Sequence, residues 1–177
     1  MERLAIYITN LGKYLEGYGC HYGQWLQLPC SGDKLQEALK AIGINAQYEE
    51  FFITDIESTI PNITINQYAS ISELNELAIK IEELADFDYD KLSAVMEWES
   101  SLSVAGIIDI IDNLDSYTLL PDVNDDAALG EYFSTELGVF DTIPEALRYY
   151  IDTERYGRDL RLSLDMCYTS YGTIIRD

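Results

Sequence analysis

Side chains able to do chemistry are scarce in most types here and crowded in one. The chain has a single histidine, His21, three cysteines, Cys20, Cys30 and Cys167, and 32 aspartates and glutamates among its 177 residues. His21 beside Cys20 does not make a nucleophile–base pair, since adjacent residues orient poorly toward each other and no third group is indicated. One histidine and scattered cysteines do not supply a zinc site. Asp122-Val123-Asn124-Asp125-Asp126 opens like a calcium loop, with oxygens at the first, third and fifth positions. Such a loop then needs glycine sixth and glutamate twelfth, where this chain has Ala127 and Phe133. Phosphate-cradling glycine motifs and basic RNA-binding signatures are missing. Paired carboxylates carry little information about glycosidase chemistry in so acidic a chain. The residues point away from an enzyme, a metal site and a cofactor.

The acids are segregated. Glu49 to Glu145 holds 23 of them against two lysines, Lys80 and Lys91, which accounts for the whole formal net charge of −21. The two flanks share nine acids and nine bases, so together they are neutral. Hydrophobic residues are 47% and aromatics 12%, too apolar for a disordered acidic tail. This charge repels nucleic acid and anionic membranes and attracts basic protein surfaces. Solubility alone is the plainest use for it. The odd cysteine count, without CxxC spacing, predicts reduced thiols in a cytoplasmic protein. No signal peptide or membrane span is expected.

Hydrophobic periods predict the elements that position these acids. Strands are expected at Leu4–Thr9, Gly23–Leu28 and Phe51–Ile56, with a loop over Asn10–Tyr22. A helix from Ser31 or Gly32 to Ile42 has Leu35, Ala38, Leu39 and Ile42 on its apolar face. Ser70 and Glu73 form a capping-box pattern for a helix to Ala85. Its stripe is Ile71, Leu74, Leu77, Ala78, Ile81 and Leu84. Asp88 is read as the cap of a helix over Tyr89–Ser100, and a third helix runs from Ser103 to Leu114. Then follow a strand at Tyr117–Leu120, a helix over Asp125–Leu137 stopped by Gly138, and a helix with Pro144 in its first turn that carries Tyr150 and Ile151. Leu164–Tyr168 and Thr173–Ile175 pair as a hairpin. The class is α+β, in three parts: an N-terminal α+β domain over 1–62, a central acidic helical bundle over 63–115, and a C-terminal α+β domain over 116–177.

Carboxylates on successive helical turns lie about 5–6 Å apart, the scale of neighbouring phosphates on a nucleic-acid strand. Duplex DNA carries one charge per roughly 1.7 Å of axis, so this net charge matches about 36 Å of duplex. A protein with a basic DNA channel cannot easily refuse such a surface. The candidate contact residues are outward acids of the middle: Glu73, Glu76, Glu82, Glu83, Asp86, Asp88, Asp90, Glu97, Glu99, Asp109, Asp112 and Asp115. Glu49, Glu57, Asp122, Asp125 and Asp126 extend the track. An acidic adaptor for a basic nucleoid or histone-like protein is the alternative, and an enzyme using carboxylates and tyrosines is a third. Tyr156-Gly157-Arg158-Asp159-Leu160 reads either as a helix end, with Gly157 permitting a bend and Arg158 paired to an acid, or as a dimer contact or partner-specific element.

Several segments resemble the ArdA antirestriction proteins. They are Ile6-Tyr7-Ile8-Thr9-Asn10-Leu11-Gly12-Lys13-Tyr14 with Glu16-Gly17, then Gly23-Gln24-Trp25-Leu26, then Glu49-Glu50-Phe51-Phe52-Ile53-Thr54-Asp55-Ile56-Glu57. Tyr68-Ala69-Ser70-Ile71-Ser72-Glu73-Leu74-Asn75, Pro144 through Tyr150-Ile151-Asp152, and Tyr156-Gly157-Arg158-Asp159-Leu160 follow in the same order. Gly19–Tyr22 and Leu102–Asp122 show no likeness beyond acidity. The resemblance implies an elongated, three-domain homodimer, encoded on mobile genetic elements, that mimics DNA. Such proteins occupy the DNA-binding groove of type I restriction-modification enzymes and inhibit them, without catalysis or cofactor and without binding nucleic acid or membrane.

Overall fold

The computed structural model describes residues 3–99 and 102–177. It is α+β, with two three-stranded antiparallel sheets. By its internal contacts the chain divides into two compact units. The first takes in residues through Tyr89 together with Glu99–Asp112, the second Asp90–Trp98 together with Asn113–Asp177.

The first unit is built on β1 (Leu4–Asn10), which lies between β2 (Gly23–Leu28) and β3 (Phe51–Ser58) in the order β2-β1-β3. A central strand must satisfy both faces, and six of the seven β1 residues are buried, with Ile6 and Ile8 fully enclosed. The register shifts between Tyr7, opposite Asp55, and Ile8, opposite Ile53. Thr54 is therefore the extra residue of a bulge. Its hydroxyl reaches the Tyr7 carbonyl at 3.3 Å and Thr9 Oγ1 at 2.9 Å, so the polar side chain of Thr9 is buried with a partner.

The segment expected to be a loop is mostly helical turns: α1 (Leu11–Lys13), a wide turn over Tyr14–Tyr18 and a tight one over Gly19–Tyr22. Asn10 starts it by accepting the Lys13 N–H at 3.0 Å. Glycine density suggested irregularity, but Gly17, at φ 93°, only breaks the regular path between turns. α2 (Gly32–Ala41) begins at Ser31, whose Oγ accepts from Lys34 N, and buries Ala38 as the spacing predicted.

α3 (Ile71–Glu83) buries Leu74, Leu77, Ala78 and Ile81 of the predicted stripe, whose two ends, Ile71 and Leu84, are half-buried. Ser70 occupies the capping position, yet its hydroxyl makes no capping bond, and Leu84 turns to extended backbone before the predicted end at Ala85. Asn75 holds α3 to the strand layer by accepting from Cys30 N at 2.8 Å and donating to Cys30 O at 3.0 Å. Arg3 donates to the Ile81 carbonyl at 2.8 Å. α5 (Val104–Asp112) packs against α3 through buried Val104, Ile107 and Ile110.

α4 (Asp86–Trp98) contributes to both units. It starts earlier than predicted, because the Ala85 carbonyl accepts the first helical bond from Tyr89 N; Asp88 lies inside the first turn and is not its cap. Leu92, Val95 and Met96 are buried as expected. The predicted end at Ser100 lies outside the described residues.

The second unit has β4 (Tyr117–Leu120), β5 (Met166–Thr169) and β6 (Gly172–Arg176) in the order β4-β6-β5. The predicted hairpin is present, with Met166 opposite Ile175 and Thr169 opposite Gly172. Leu120, Val123, Leu129 and Ile175 form the core, with Phe133, Leu160 and Met166 against it. α6 (Asp126–Glu131) is capped by Asp125 and continues as a wide turn to Glu136, with Gly138 at φ 65° beyond it.

The helix predicted to carry Tyr150 and Ile151 is only α7 (Glu145–Arg148). Pro144 caps it from outside, and Arg148 folds back to the carbonyls of Ile143 and Asp141, each at 3.1 Å. Asp152 then caps a new helix, α8 (Thr153–Ser163), by accepting from Arg155 N at 2.9 Å. Gly157 is therefore mid-helix and buried, so the expected helix end is corrected; the reason for glycine is a neighbour, not a bend. A Cβ there would lie 1.7 Å from the Asp126 carbonyl oxygen, and one on Gly130 would lie 1.8 Å from that of Thr153. α6 and α8 touch backbone to backbone.

Candidate partner-binding surface

Both lysines of the acidic middle are used within the fold. Lys80 pairs with Asp112, and this contact, before the fields of Glu76 and Glu83, holds its proton affinity above the ordinary lysine value. Lys91 is buried and donates to the Leu114 carbonyl at 3.4 Å. Carboxylates therefore face solvent from Glu49 to Glu145 with little ammonium charge among them.

Of the candidate acids, all are exposed except Asp88, Glu99 and Asp126, which are half-buried. Glu73, Glu76 and Glu83 follow the outer line of α3, with Lys80 on the same line; at about 100° per residue these positions turn away from the buried stripe. Glu82 flanks the stripe on its other side, and Asp86 opens α4. Asp109 lies on the outer side of α5, and Glu49 and Glu57 lie before and on β3.

Some candidates already have a structural task. Glu97 accepts from the backbone N–H of Ser170 at 2.8 Å and from its hydroxyl, fastening α4 to the β5–β6 turn. Asp125 caps α6 by accepting from Ala128 N at 2.8 Å. Asp126 takes a bond from Arg161 Nε at 2.8 Å and from the Tyr168 hydroxyl at 2.8 Å, with Arg158 Nε at 3.8 Å. Arg158 also reaches Glu154 at 3.5 Å, so the expected pairing of this arginine with an acid is present. Tyr156 is half-buried with its ring 5.1 Å from that of Phe140, and Asp159 is exposed. The cap at Asp125 was visible in Asp125-Asp126 before Ala127-Ala128-Leu129. The clamp on Asp126 was not, because its partners come from 32 to 42 residues along the chain.

The Arg161 bond, then that of Tyr168, holds the Asp126 carboxyl below its ordinary value of 3.8. Burial, then the bond to Asp126, pushes the Tyr168 hydroxyl up. Unfolding in acid frees Asp126 to bind a proton it resists in the fold, so its contribution is complete above the ordinary value and is lost as pH falls below it. Asp126→Asn is expected to lower the melting temperature at neutral pH, and the gap to the parent should narrow between about pH 5 and pH 2. Thermal melts followed by circular dichroism across that range check this; a gap constant with pH would mean the carboxylate's charge is not what matters.

Among the described residues no helix is long and apolar enough to cross a membrane, and no group of three or more His, Cys, Asp or Glu is placed to hold a metal ion. Cys20, Cys30 and Cys167 are free thiols. The fold and its surface define a small α+β protein whose exposed feature is a distributed field of carboxylates. Its sequence matches the model of the antirestriction protein family ArdA over residues 6–175, nearly the whole chain. The chain belongs to the ArdA family. No curated protein matches it in sequence.

Proposed function

We propose that this antirestriction protein acts as a DNA mimic, entering the DNA-binding groove of type I restriction-modification enzymes and excluding their substrate. The observation that carries the reading is the outward carboxylate line of α3, whose one lysine, Lys80, is already paired with Asp112. A basic groove meets this surface as it meets phosphate, by charge and not by sequence. On this reading the segments 1–62, 63–115 and 116–177 are three functional parts, of which the middle one is the most densely acidic. The protein works in the cytoplasm as a homodimer, carried by a mobile element. Chains this acidic repel each other except through their neutral flanks, and Tyr149 and Tyr150, 91% and 80% exposed, are available there.

The test is competition between this chain and duplex DNA for a purified type I methyltransferase. The chain should displace DNA, and its own affinity should fall steeply as salt rises from about 50 to 200 mM, because ion-pair formation with the groove is screened and counterions are released. An affinity indifferent to salt would sink phosphate mimicry. Binding to a basic nucleoid protein, with no displacement of DNA from the enzyme, would select the adaptor reading instead.

A further inference from the structure

The first unit has a cleft of about 380 Å³ between the turn after β1 and the segment before β3. Leu11, Gly12, Leu15 and Ala46 supply its apolar lining, and Glu49 and Glu50 belong to its polar lining. Its frame is fixed from both sides. Leu11 N donates to the Glu50 carbonyl at 3.0 Å, and Gly12 lies so close to the Tyr48 ring that a Cβ would fall 2.5 Å from Tyr48 Cδ1. Lys13 Nζ donates to Tyr48 Oη at 2.8 Å and to Glu16 at 2.9 Å, and Tyr48 donates to Glu16 at 2.7 Å. The same ammonium lies 4.2 Å from the centre of the Tyr48 ring. Glu16 thus pairs with Lys13, and no ion pair among the described residues engages Glu49 or Glu50. Leu15, at 75% exposure, has no apolar cover in the unit.

We infer that this cleft receives one basic side chain, arginine or lysine, from the surface of the protein partner. Such a side chain has an apolar stem and a charged head. The stem matches Leu15 and Ala46, and the head matches Glu49 and Glu50. The volume suits one long side chain, standing at the small end of the range for ligand pockets. Tyr48 in its lining is already held by Lys13 and Glu16, so it needs little ordering on binding. It gives the interface an anchor of a different kind from the screened charges of the helices. The inference rests on the proposed function in taking the type I enzyme as partner.

The experiment measures affinity for the purified methyltransferase at low and high salt for the parent chain, Leu15→Ser, Glu49→Gln/Glu50→Gln and the triple variant. Leu15→Ser should weaken binding about fivefold to tenfold at both salts, since apolar contact is not screened. The glutamine pair should weaken it to a similar degree at low salt and less at high salt. The triple variant should lose less than the product of the two, because both changes act on one side chain. Circular dichroism of each variant should match the parent, all three positions being exposed. A parent chain that does not bind the enzyme would overturn the proposed function and this partner with it. Binding by the parent with all variants within twofold would overturn the cleft alone. A shift from dimer to monomer in Leu15→Ser with unchanged affinity would assign the cleft to a second copy and likewise overturn it.

Discussion

Replacing Glu73, Glu76, Glu82, Glu83 and Asp86 together by their amides is expected to abolish inhibition of a type I methyltransferase, while each single change costs about twofold to fivefold. The asymmetry follows from how the charge is held. All five are exposed, so each acts through solvent and is individually weak. Together they set the local field of α3 and the start of α4, and five small losses multiply to on the order of a hundredfold or more. The fold should not suffer, because neutralisation relieves repulsion and none of these carboxylates lies in the buried stripe. Inhibition titrations with melting temperatures on the same samples separate the two effects. A single amide that abolished inhibition in a folded protein would replace the distributed field with a specific contact. A quintuple variant as potent as the parent would remove α3 from the interface.

The contrast between α3 and Asp126 shows what sequence carries and what it omits. A helix in water turns its apolar stripe inward whatever else happens, so the period of Leu74, Leu77, Ala78 and Ile81 was enough to place Glu76 and Glu83 outside. Nothing local distinguishes Asp126 from them. Only the fold brings Arg161 and Tyr168 to it and turns an acid of the track into a structural clamp. The turns after β1 were missed for a related reason. Their order comes from Asn10, Lys13, Glu16 and Tyr48, a network whose last member is 32 residues from Glu16. The strands of both sheets were legible because alternation and β-branching act locally, whereas the break between α7 and the new helix capped by Asp152 is not marked by the apolar residues around it.

Acidity of this size imposes a division of labour on the rest of the sequence. The C-terminal arginines are spent on particular acids: Arg148 with Asp141, Arg158 with Glu154 and Asp126, Arg176 with Asp165. The two cations of the acidic middle are engaged as well, Lys80 by Asp112 on the outer line of α3 and Lys91 by a buried bond to the Leu114 carbonyl. Two of these contacts reach from the neutral C-terminal flank to acids of the middle, Asp126 and Asp141, and the excess charge remains where helices expose it.

Gly157→Ala should be the most damaging single methyl in the second unit. The added Cβ meets the Asp126 carbonyl oxygen at 1.7 Å and the Gly130 amide nitrogen at 2.7 Å, both backbone atoms that no rotamer change can move. α8 would have to back away from α6. That displacement would loosen Leu129, which is fully buried, and pull Arg158 and Arg161 from Asp126. Overpacking with a rigid neighbour costs about 3 kcal/mol, at the top of the usual range. For a unit of this size that lowers the melting temperature by roughly 12–24 °C. Gly32→Ala is the control: nothing lies within 4 Å of its Cβ, and it opens α2, so it should hold or raise stability by about 0.4–1 kcal/mol. Melting curves with light scattering also resolve the two roles open to the Tyr156–Asp159 segment. A large fall in melting temperature assigns Gly157 to the α6–α8 contact, whereas an unchanged melt with loss of the dimer would assign it to the subunit interface and refute the packing account.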